Sequence, residues 1–144
     1  LHGDPTAIAF PRALKNDGLD FSFSGLKTAV VNHVRAHPEV STADVAASFQ
    51  AAVVDVLVTK ARRAAEEVGA TALALGGGVA ANSLLREEFL GACTDAGIQG
   101  FVPSRAMCTD NAAMIASAGW YRLRLDGPTS LDQGADPNLR LATR

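Results

Sequence analysis

The clearest candidate for chemistry in this sequence is a run of three glycines at residues 76–78. A continuous apolar segment, residues 71–75, precedes the run and predicts a buried central strand. A helix-forming segment that begins near Asn82 follows the run. Glycines let a ligand approach the backbone closely, and the first turn of a helix offers free N–H groups to an anion. A tight turn between a strand and a helix would use the same glycines without any ligand. We favour a binding turn, because open α/β sheets bind ligands beyond the carboxyl ends of their strands.

A second candidate is Asp110, which lies in the segment CTDN at residues 108–111. This segment also follows a predicted strand and precedes a predicted helix, so Asp110 could cap that helix or bind a metal ion. Both loops follow strands of one predicted parallel sheet, and we therefore expect them at the same edge of that sheet. Two unusual loops at one edge indicate a site more strongly than either loop does alone.

Residues 21–28 have the sequence FSFSGLKT. The alternation of apolar and polar residues predicts a short half-buried strand that ends at Gly25. Lys27 and Thr28 would then stand at the start of the next helix, where an anion could bind. A strand that buries two Phe side chains explains the segment equally well.

His33 and His37 are spaced i, i+4 on a predicted helix, which puts both side chains on one face. The pair lacks the glutamate of a zinc-protease HExxH motif, and Pro38 ends the helix at once. Histidines near the carboxyl end of a helix are stabilised by the partial negative charge there. We interpret the two residues as a solvated pair rather than as zinc ligands.

The elements that must position these residues follow from hydrophobic periodicity and from capping signals. We predict strands at residues 19–24, 71–75 and 99–103, and helices at residues 26–36, 42–68, 83–96 and 110–125. Ser41 or Thr42 can cap the longest helix, Gly69 can supply its left-handed C-cap, and Asn82 or Ser83 opens the next helix. Strands that alternate with helices indicate a parallel sheet, and three short strands are fewer than the roughly four to six of a typical sheet.

Two of the predicted helices have an expected inward face. In the longest helix, residues 51–58 are apolar nearly all round, so we expect cover on more than one side. Its predicted buried face consists of Ala46, Val53, Leu57, Ala61, Ala64 and Val68. In the last helix we expect Met114, Ile115 and Ala118 to face inward.

Composition excludes several classes of protein. The chain has 144 residues and a formal net charge of −2, which argues against binding to nucleic acid by bulk charge. Two cysteines are too few for a disulfide scaffold and suit a reduced, cytoplasmic setting. We find no signal peptide and no apolar stretch of the roughly 20 residues that a membrane-spanning helix needs. The first residue is Leu1 rather than Met, and we expect the chain to be a piece of a longer protein.

Three segments, in this order and at this spacing, resemble the motifs of the TsaD/Gcp/YgjD family of tRNA adenosine threonylcarbamoyltransferases. They are residues 21–28 (FSFSGLKT), 77–82 (GGVAAN) and 108–116 (CTDNAAMIA). The resemblance covers nearly the whole chain and is to the bacterial type. Members of this family were once described as O-sialoglycoprotein endopeptidases, an activity for which this chain offers no catalytic pair.

The resemblance implies the actin-like ATPase (ASKHA) fold, in which two RNase H-like lobes enclose a nucleotide. The chain would be the α/β second lobe, rich in helix, with a small, incomplete and mainly parallel sheet. The implied reaction transfers threonylcarbamoyl from threonylcarbamoyl-AMP to the exocyclic amine of the adenosine beside the anticodon. The resemblance also implies that Asn82, Gly77 and Gly78 contact the adenine nucleotide and that Asp110 binds a metal ion, iron or zinc.

The chain departs from the family pattern in two respects. It does not include the family's phosphate-contacting loop at the start of the second lobe. The family's other metal ligands are two histidines of the first lobe, which this chain does not include, and His33 and His37 do not match them. We therefore expect residues 1–144 to be the C-terminal lobe of a two-lobe enzyme. Its expected parts are an irregular lead-in (1–20), an α/β core (21–125) and an extended tail (126–144).

The expected partners are tRNA, proteins of the TsaB and TsaE type, and the first lobe. Alone, the chain is expected to be inactive, to bind metal weakly and to self-associate through uncovered sheet edge and apolar surface. Two alternatives stay open: a nucleotide-binding lobe of another actin-like ATPase or kinase, and a binding module that works with a partner chain. The segments around Phe23 and Asp110 favour the transferase.

Overall fold

A computed structural model of the chain describes residues 3–132, 134, 136 and 138. These residues form four helices and two short strands: α1 Ser24–Ala36, α2 Thr42–Val68, β1 Ala72–Ala74, α3 Ser83–Asp95, β2 Gln99–Phe101 and α4 Ala112–Asp126. Two 3-10 turns, Gly78–Ala81 and Arg105–Met107, come before α3 and α4. The chain divides into two compact units, Leu1–Thr109 and Asp110–Arg144.

The longest helix, α2, begins and ends at the predicted capping residues. The Ser41 side chain accepts a hydrogen bond from the Asp44 N–H, and Asp44 places a negative charge in the positive first turn. Gly69 follows the helix with φ 62°, the left-handed conformation that a glycine adopts without steric cost. The residues that cap both ends of α2 are therefore close to those ends in sequence.

The two strands are parallel, as predicted, and Leu73 of β1 pairs with Gly100 of β2. A Cβ atom on Gly100 would lie 3.0 Å from Leu90 Cδ2 and 3.1 Å from Cys93 Cβ. Glycine at this position therefore allows α3 to pack closely on β2. Burial under this contact raises the pKa of the Cys93 thiol.

The core of the first unit joins the segment before α1 to the first two helices. Phe10, Leu26 and Ala52 form a buried cluster. Ser48 of α2 is also buried, and its hydroxyl accepts a hydrogen bond from the Ile8 N–H and donates one to the Asp4 carbonyl, both at 3.1 Å. A polar side chain can be buried here because its hydrogen bonds are satisfied.

Two cations of α2 hold the loop that leads toward α1. Lys60 is only 1% exposed, and its ammonium donates to the carbonyls of Asp17 at 2.7 Å and Gly18 at 3.0 Å. Arg63 donates to the carbonyls of Gly18 and Lys15. The loop is thereby fixed to α2 although it contains no regular secondary structure.

The strand predicted at residues 19–24 is wrong. Residues 19–23 have no strand structure, and α1 already begins at Ser24. The rings of Phe21 and Phe23 do stack on each other, at 6.2 Å between centroids, but only Phe23 packs on the core. The alternation does not match the burial either, because Leu19 and Phe21 are exposed whereas Ser22 is half-buried, and a strand also needs a hydrogen-bonded neighbour.

The predicted burial of α2 is confirmed in one part and wrong in another. Val54 is buried on the side of the helix opposite to buried Ala52 and Val56, which confirms cover on more than one side of residues 51–58. The predicted buried face is wrong, because none of its six residues is buried: Ala46 and Val68 are exposed, and the other four are half-buried. The segment before α1 packs against Ser48 and Lys60 instead, and that segment has no periodicity that would reveal the contact.

The predicted burial of β1 and of α4 is also wrong. In β1 only Leu73 is half-buried, because among the described residues β1 pairs with β2 alone. Met114 and Ile115 of α4 are exposed rather than inward-facing. In the described part of the second unit α4 is the only helix, so no other helix of that unit covers it.

Among the described helices, α2 is long and apolar enough to cross a membrane by length and composition. The expectation that no segment meets this condition was therefore wrong. A core helix of a folded domain passes the same test. The buried contacts of Ser48 and Lys60 with the preceding segment are those of such a core helix.

The predicted division into lead-in, core and tail stays a prediction, and residues 133, 135, 137 and 139–144 of the tail lie outside the described residues.

Candidate functional site

The glycine run forms an open turn at the carboxyl end of β1. Gly77 has φ 82° and ψ 171°, a backbone conformation that only glycine adopts without strain. Gly78 starts a 3-10 turn, which the Ala80 N–H closes on the Gly77 carbonyl at 3.0 Å. A Cβ atom on Gly76, Gly77 or Gly78 would meet no heavy atom within 4 Å. The backbone of the turn is therefore open to a ligand.

The helix after the turn, α3, begins at Ser83 as predicted, and the 3-10 turn Gly78–Ala81 lies between the glycines and its cap. Asn82 caps it, with Oδ1 accepting from the Leu85 N–H at 3.0 Å. Its Nδ2 donates to Oε1 of Gln50 on α2 at 2.9 Å. Because the cap requires the oxygen to face Leu85, the orientation of the amide is fixed. An Asn amide has two N–H hydrogens and two oxygen lone pairs, so these two hydrogen bonds use one hydrogen on Nδ2 and one lone pair on Oδ1 and leave one of each.

An apolar groove of about 440 Å³ lies beside the turn. Its lining includes Phe23 and Lys27 from the start of α1, Phe49 from α2, and Gly76 and Val79 from the turn. Two of the segments singled out in the sequence, residues 21–28 and the glycine run, therefore meet at one groove. Lys27 is the cation of this lining, so an anionic group of a ligand could be neutralised there.

Asp110 belongs to the second unit and is exposed. The alternative role of a helix cap is wrong for it, because Asn111 caps α4 and accepts from the Met114 N–H at 3.0 Å. The expectation that Asp110 and the glycine turn share one edge stays a prediction.

The two histidines pack on each other, with 4.6 Å between ring centroids. His33 also meets the Phe10 ring edge-on, and His37 lies 3.6 Å from a carboxylate oxygen of Glu39. Within the part of the chain that the structure describes, no group of three or more His, Cys, Asp or Glu side chains could hold a metal ion. Asp110 alone supplies one carboxylate, so these residues do not fit a complete iron or zinc site.

Three residues near the turn were missed in the sequence. Gln50 orients the Asn82 amide, Arg86 donates to the Ala80 carbonyl at 3.0 Å, and Arg105 donates to the Ser83 hydroxyl at 2.8 Å. The only signal for Gln50 was a polar residue within an apolar stretch of helix. No sequence signal identified the two arginines, because their partners follow from the tertiary fold.

The fold and the candidate site are those of an α/β lobe: a glycine turn ends a parallel strand, a capped helix lies behind it, and an open groove lies beside it. Ligand-binding sites of α/β proteins occupy such positions. The chain belongs to the tRNA N6-adenosine threonylcarbamoyltransferase family (TsaD), whose model matches residues 2–117. This confirms the resemblance and the expected actin-like fold class, rich in helix with a small parallel sheet.

Two relatives in this family show the extent of the similarity. A tRNA N6-adenosine threonylcarbamoyltransferase of Moorella thermoacetica is 54% identical over 96% of the chain and 42% of the relative. The protein of the same name from Clostridium botulinum is 48% identical over 99% of the chain and 43% of the relative. The chain thus spans about two fifths of the length of these relatives.

Proposed function

We propose that this chain supplies the nucleotide-contacting C-terminal portion of an enzyme that forms threonylcarbamoyladenosine in tRNA. The family match and the names of the relatives support the reaction. The observation that carries the assignment is the open glycine turn, in which Gly77 has a glycine-specific conformation and a Cβ atom on any of the three glycines would meet no heavy atom within 4 Å. The groove beside it, with Lys27 in its wall, supports a ligand that carries both a flat apolar group and an anionic group.

In this proposal the adenosine of an adenine nucleotide lies along Gly77 and Gly78. Asn82 contacts the nucleotide through the amide hydrogen and lone pair that its cap and its bond to Gln50 leave over. Gln50 and the helix cap hold the amide in a single orientation, which reduces the cost of ordering it on binding.

The proposed reaction needs no nucleophile from the protein. The exocyclic amine of the tRNA adenosine attacks the activated carbonyl carbon of threonylcarbamoyl-AMP, and a new C–N bond forms. The C–O bond to the phosphate breaks, AMP leaves with the electron pair, and the amine loses one proton. The contribution of this chain is to bind and orient the AMP portion, which lowers the entropic part of the barrier.

We further propose that Asp110 gives one ligand to an iron or zinc ion whose other ligands come from outside this chain. No step of the reaction is assigned to that ion, because the described residues do not complete its site. The proposed partners are tRNA, the first lobe, and proteins of the TsaB and TsaE type, in the cytoplasm. The chain alone is expected to transfer no threonylcarbamoyl group.

Calorimetric titration with AMP tests the proposed role of Asn82. Asn82→Ser keeps a side-chain oxygen that can cap α3 but removes the amide, so we expect AMP binding to weaken about tenfold while the folded state is retained. Asn32→Ser, on the exposed surface of α1, is the matched control and should bind AMP like the wild type. Equal affinity of the wild type and Asn82→Ser would remove Asn82 from the nucleotide site.

A further inference from the structure

Two arginines connect residues 78–83, which comprise the turn after the glycines and the first residue of α3, to the loop that leads toward Asp110. Nη1 of Arg86 donates to the Ala80 carbonyl at 3.0 Å and approaches the Cys108 sulfur to 3.9 Å. Nη2 of Arg105 donates to the Ser83 hydroxyl at 2.8 Å. Each arginine therefore contacts, or itself belongs to, both segments, which are separated by about 22 residues of chain.

The contacts of Arg86 are partly buried, whereas that of Arg105 is exposed. Ala80 and Cys108 are both buried, and the Cys108 thiol donates in turn to the Ser104 carbonyl at 3.4 Å. A guanidinium group is planar and rigid, so its donors fix the relative position of the groups that they contact. Hydrogen bonds from a charged donor are also stronger than neutral ones, more so away from water.

We propose that Arg86 is a positioning residue that fixes the loop at residues 104–108 to the turn Gly78–Ala81. A displacement of the turn is thereby transmitted to the loop, and with it to the segment of chain that enters Asp110. The inference rests on the proposed function only for the ligands at its two ends, which are the nucleotide at the turn and the metal ion at Asp110. The mechanical connection itself concerns contacts within the first unit and can be tested without any ligand.

The Cys108 thiol reports on this connection, because it is buried against Arg86. In a Cys93→Ala background, Arg86→Met keeps the length of the side chain but removes its donors. We expect Cys108 to react about tenfold faster with a small uncharged thiol reagent, since the loop opens more often. In a Cys108→Ala background, Arg86→Met should leave the rate at which Cys93 reacts with the same reagent unchanged. Arg62→Met, which removes an exposed pair with Glu66, is the control substitution.

A double-mutant cycle separates transmission from a simple loss of packing. Gly77→Ala strains the turn, and we expect it to raise the Cys108 rate when Arg86 is present and to add little in the Arg86→Met background. Additive effects of the two substitutions would overturn the proposal.

Amide hydrogen exchange gives a second measurement that does not depend on the Gly77 variant folding. Arg86→Met should raise exchange at both residues 78–82 and residues 104–108, with no rise at β1 and β2. A rise at one segment only would also overturn the proposal. Because AMP takes no part in either experiment, a failure of the proposed nucleotide site would leave these results unaffected.

Discussion

At Gly77 the need for glycine is conformational, whereas at Gly78 it is not. Gly77 has φ 82°, which an L-residue adopts only with strain, and the structure has space around both positions. In the proposed function, a side chain on Gly78 would therefore disturb the bound nucleotide rather than the fold. The two neighbouring glycines thus separate a structural requirement at Gly77 from the proposed binding role of Gly78.

Substitution by alanine distinguishes the two glycines by stability. Gly77→Ala should lower the free energy of unfolding by about 1–3 kcal/mol, and Gly78→Ala should change it by less than about 0.5 kcal/mol. Gly91 is exposed to solvent in the middle of α3, and Gly91→Ala should raise the free energy of unfolding by about 0.5–1 kcal/mol. Urea denaturation measures all three. An unchanged stability of Gly77→Ala would contradict the described backbone of the turn.

At the scale of the elements, local features were predictable and long-range contacts were not. The cap Gly69 was predicted, and Ser41 and Asn82 were each predicted as one of two neighbouring residues, because a cap depends on residues a few positions away. The strand at 19–24 and the burial of β1 were wrong, because both depend on neighbouring strands. The position of the glycine turn came from its own residues, whereas the contact between Gln50 and Asn82 joins positions 32 apart.

The irregular segment before α1 is attached to α2 by charge as well as by the core. Asp55 of α2 forms ion pairs with Arg12 and Lys15 of that segment. Burial acts to raise the pKa of Asp55, but the hydrogen bonds and the positive charges of Lys15 and Arg12 outweigh it and hold the pKa below its ordinary value. The ion pairs therefore stabilise the folded state only while Asp55 is ionised.

Because the pKa of Asp55 is lowered in the folded state, the contribution of its ion pairs to stability depends on pH. A carboxylate with a lowered folded-state pKa stabilises the fold above its unfolded pKa, about 3.9, and that contribution is lost as the pH falls through the lower folded value. We expect Asp55→Asn to be less stable than the wild type at neutral pH and to lose less stability below about pH 4. Thermal unfolding between pH 2 and pH 7 measures the difference. Asp126→Asn, in an exposed pair with Arg122, is the control. Parallel curves for the wild type and Asp55→Asn would contradict the assigned role.

At the scale of the whole molecule, the chain exposes much apolar surface. Val79 beside the glycine turn is 61% exposed, and Phe101 of β2 is 50% exposed. In the described residues each strand has one paired edge only. Exposed strand edges and apolar patches favour association with other chains.

Light scattering tests the expected self-association. We expect the weight-average mass to rise above the 14.9 kDa of one chain as the concentration increases. Phe101→Lys should reduce this rise, because a charge on an edge strand opposes pairing with another edge. A constant mass of one chain at high concentration would contradict the expectation.

The proposed nucleotide-contacting role is tested most directly by equilibrium binding of AMP to three forms of the chain: wild type, Gly78→Ala and Gly91→Ala. The wild type and Gly91→Ala should bind AMP with equal affinity. Gly78→Ala, equally well folded, should bind about tenfold or more weakly, since its methyl group occupies the space along which the nucleotide approaches the backbone. Binding to Gly78→Ala as tight as to the wild type, or no binding to the wild type, would contradict the proposal.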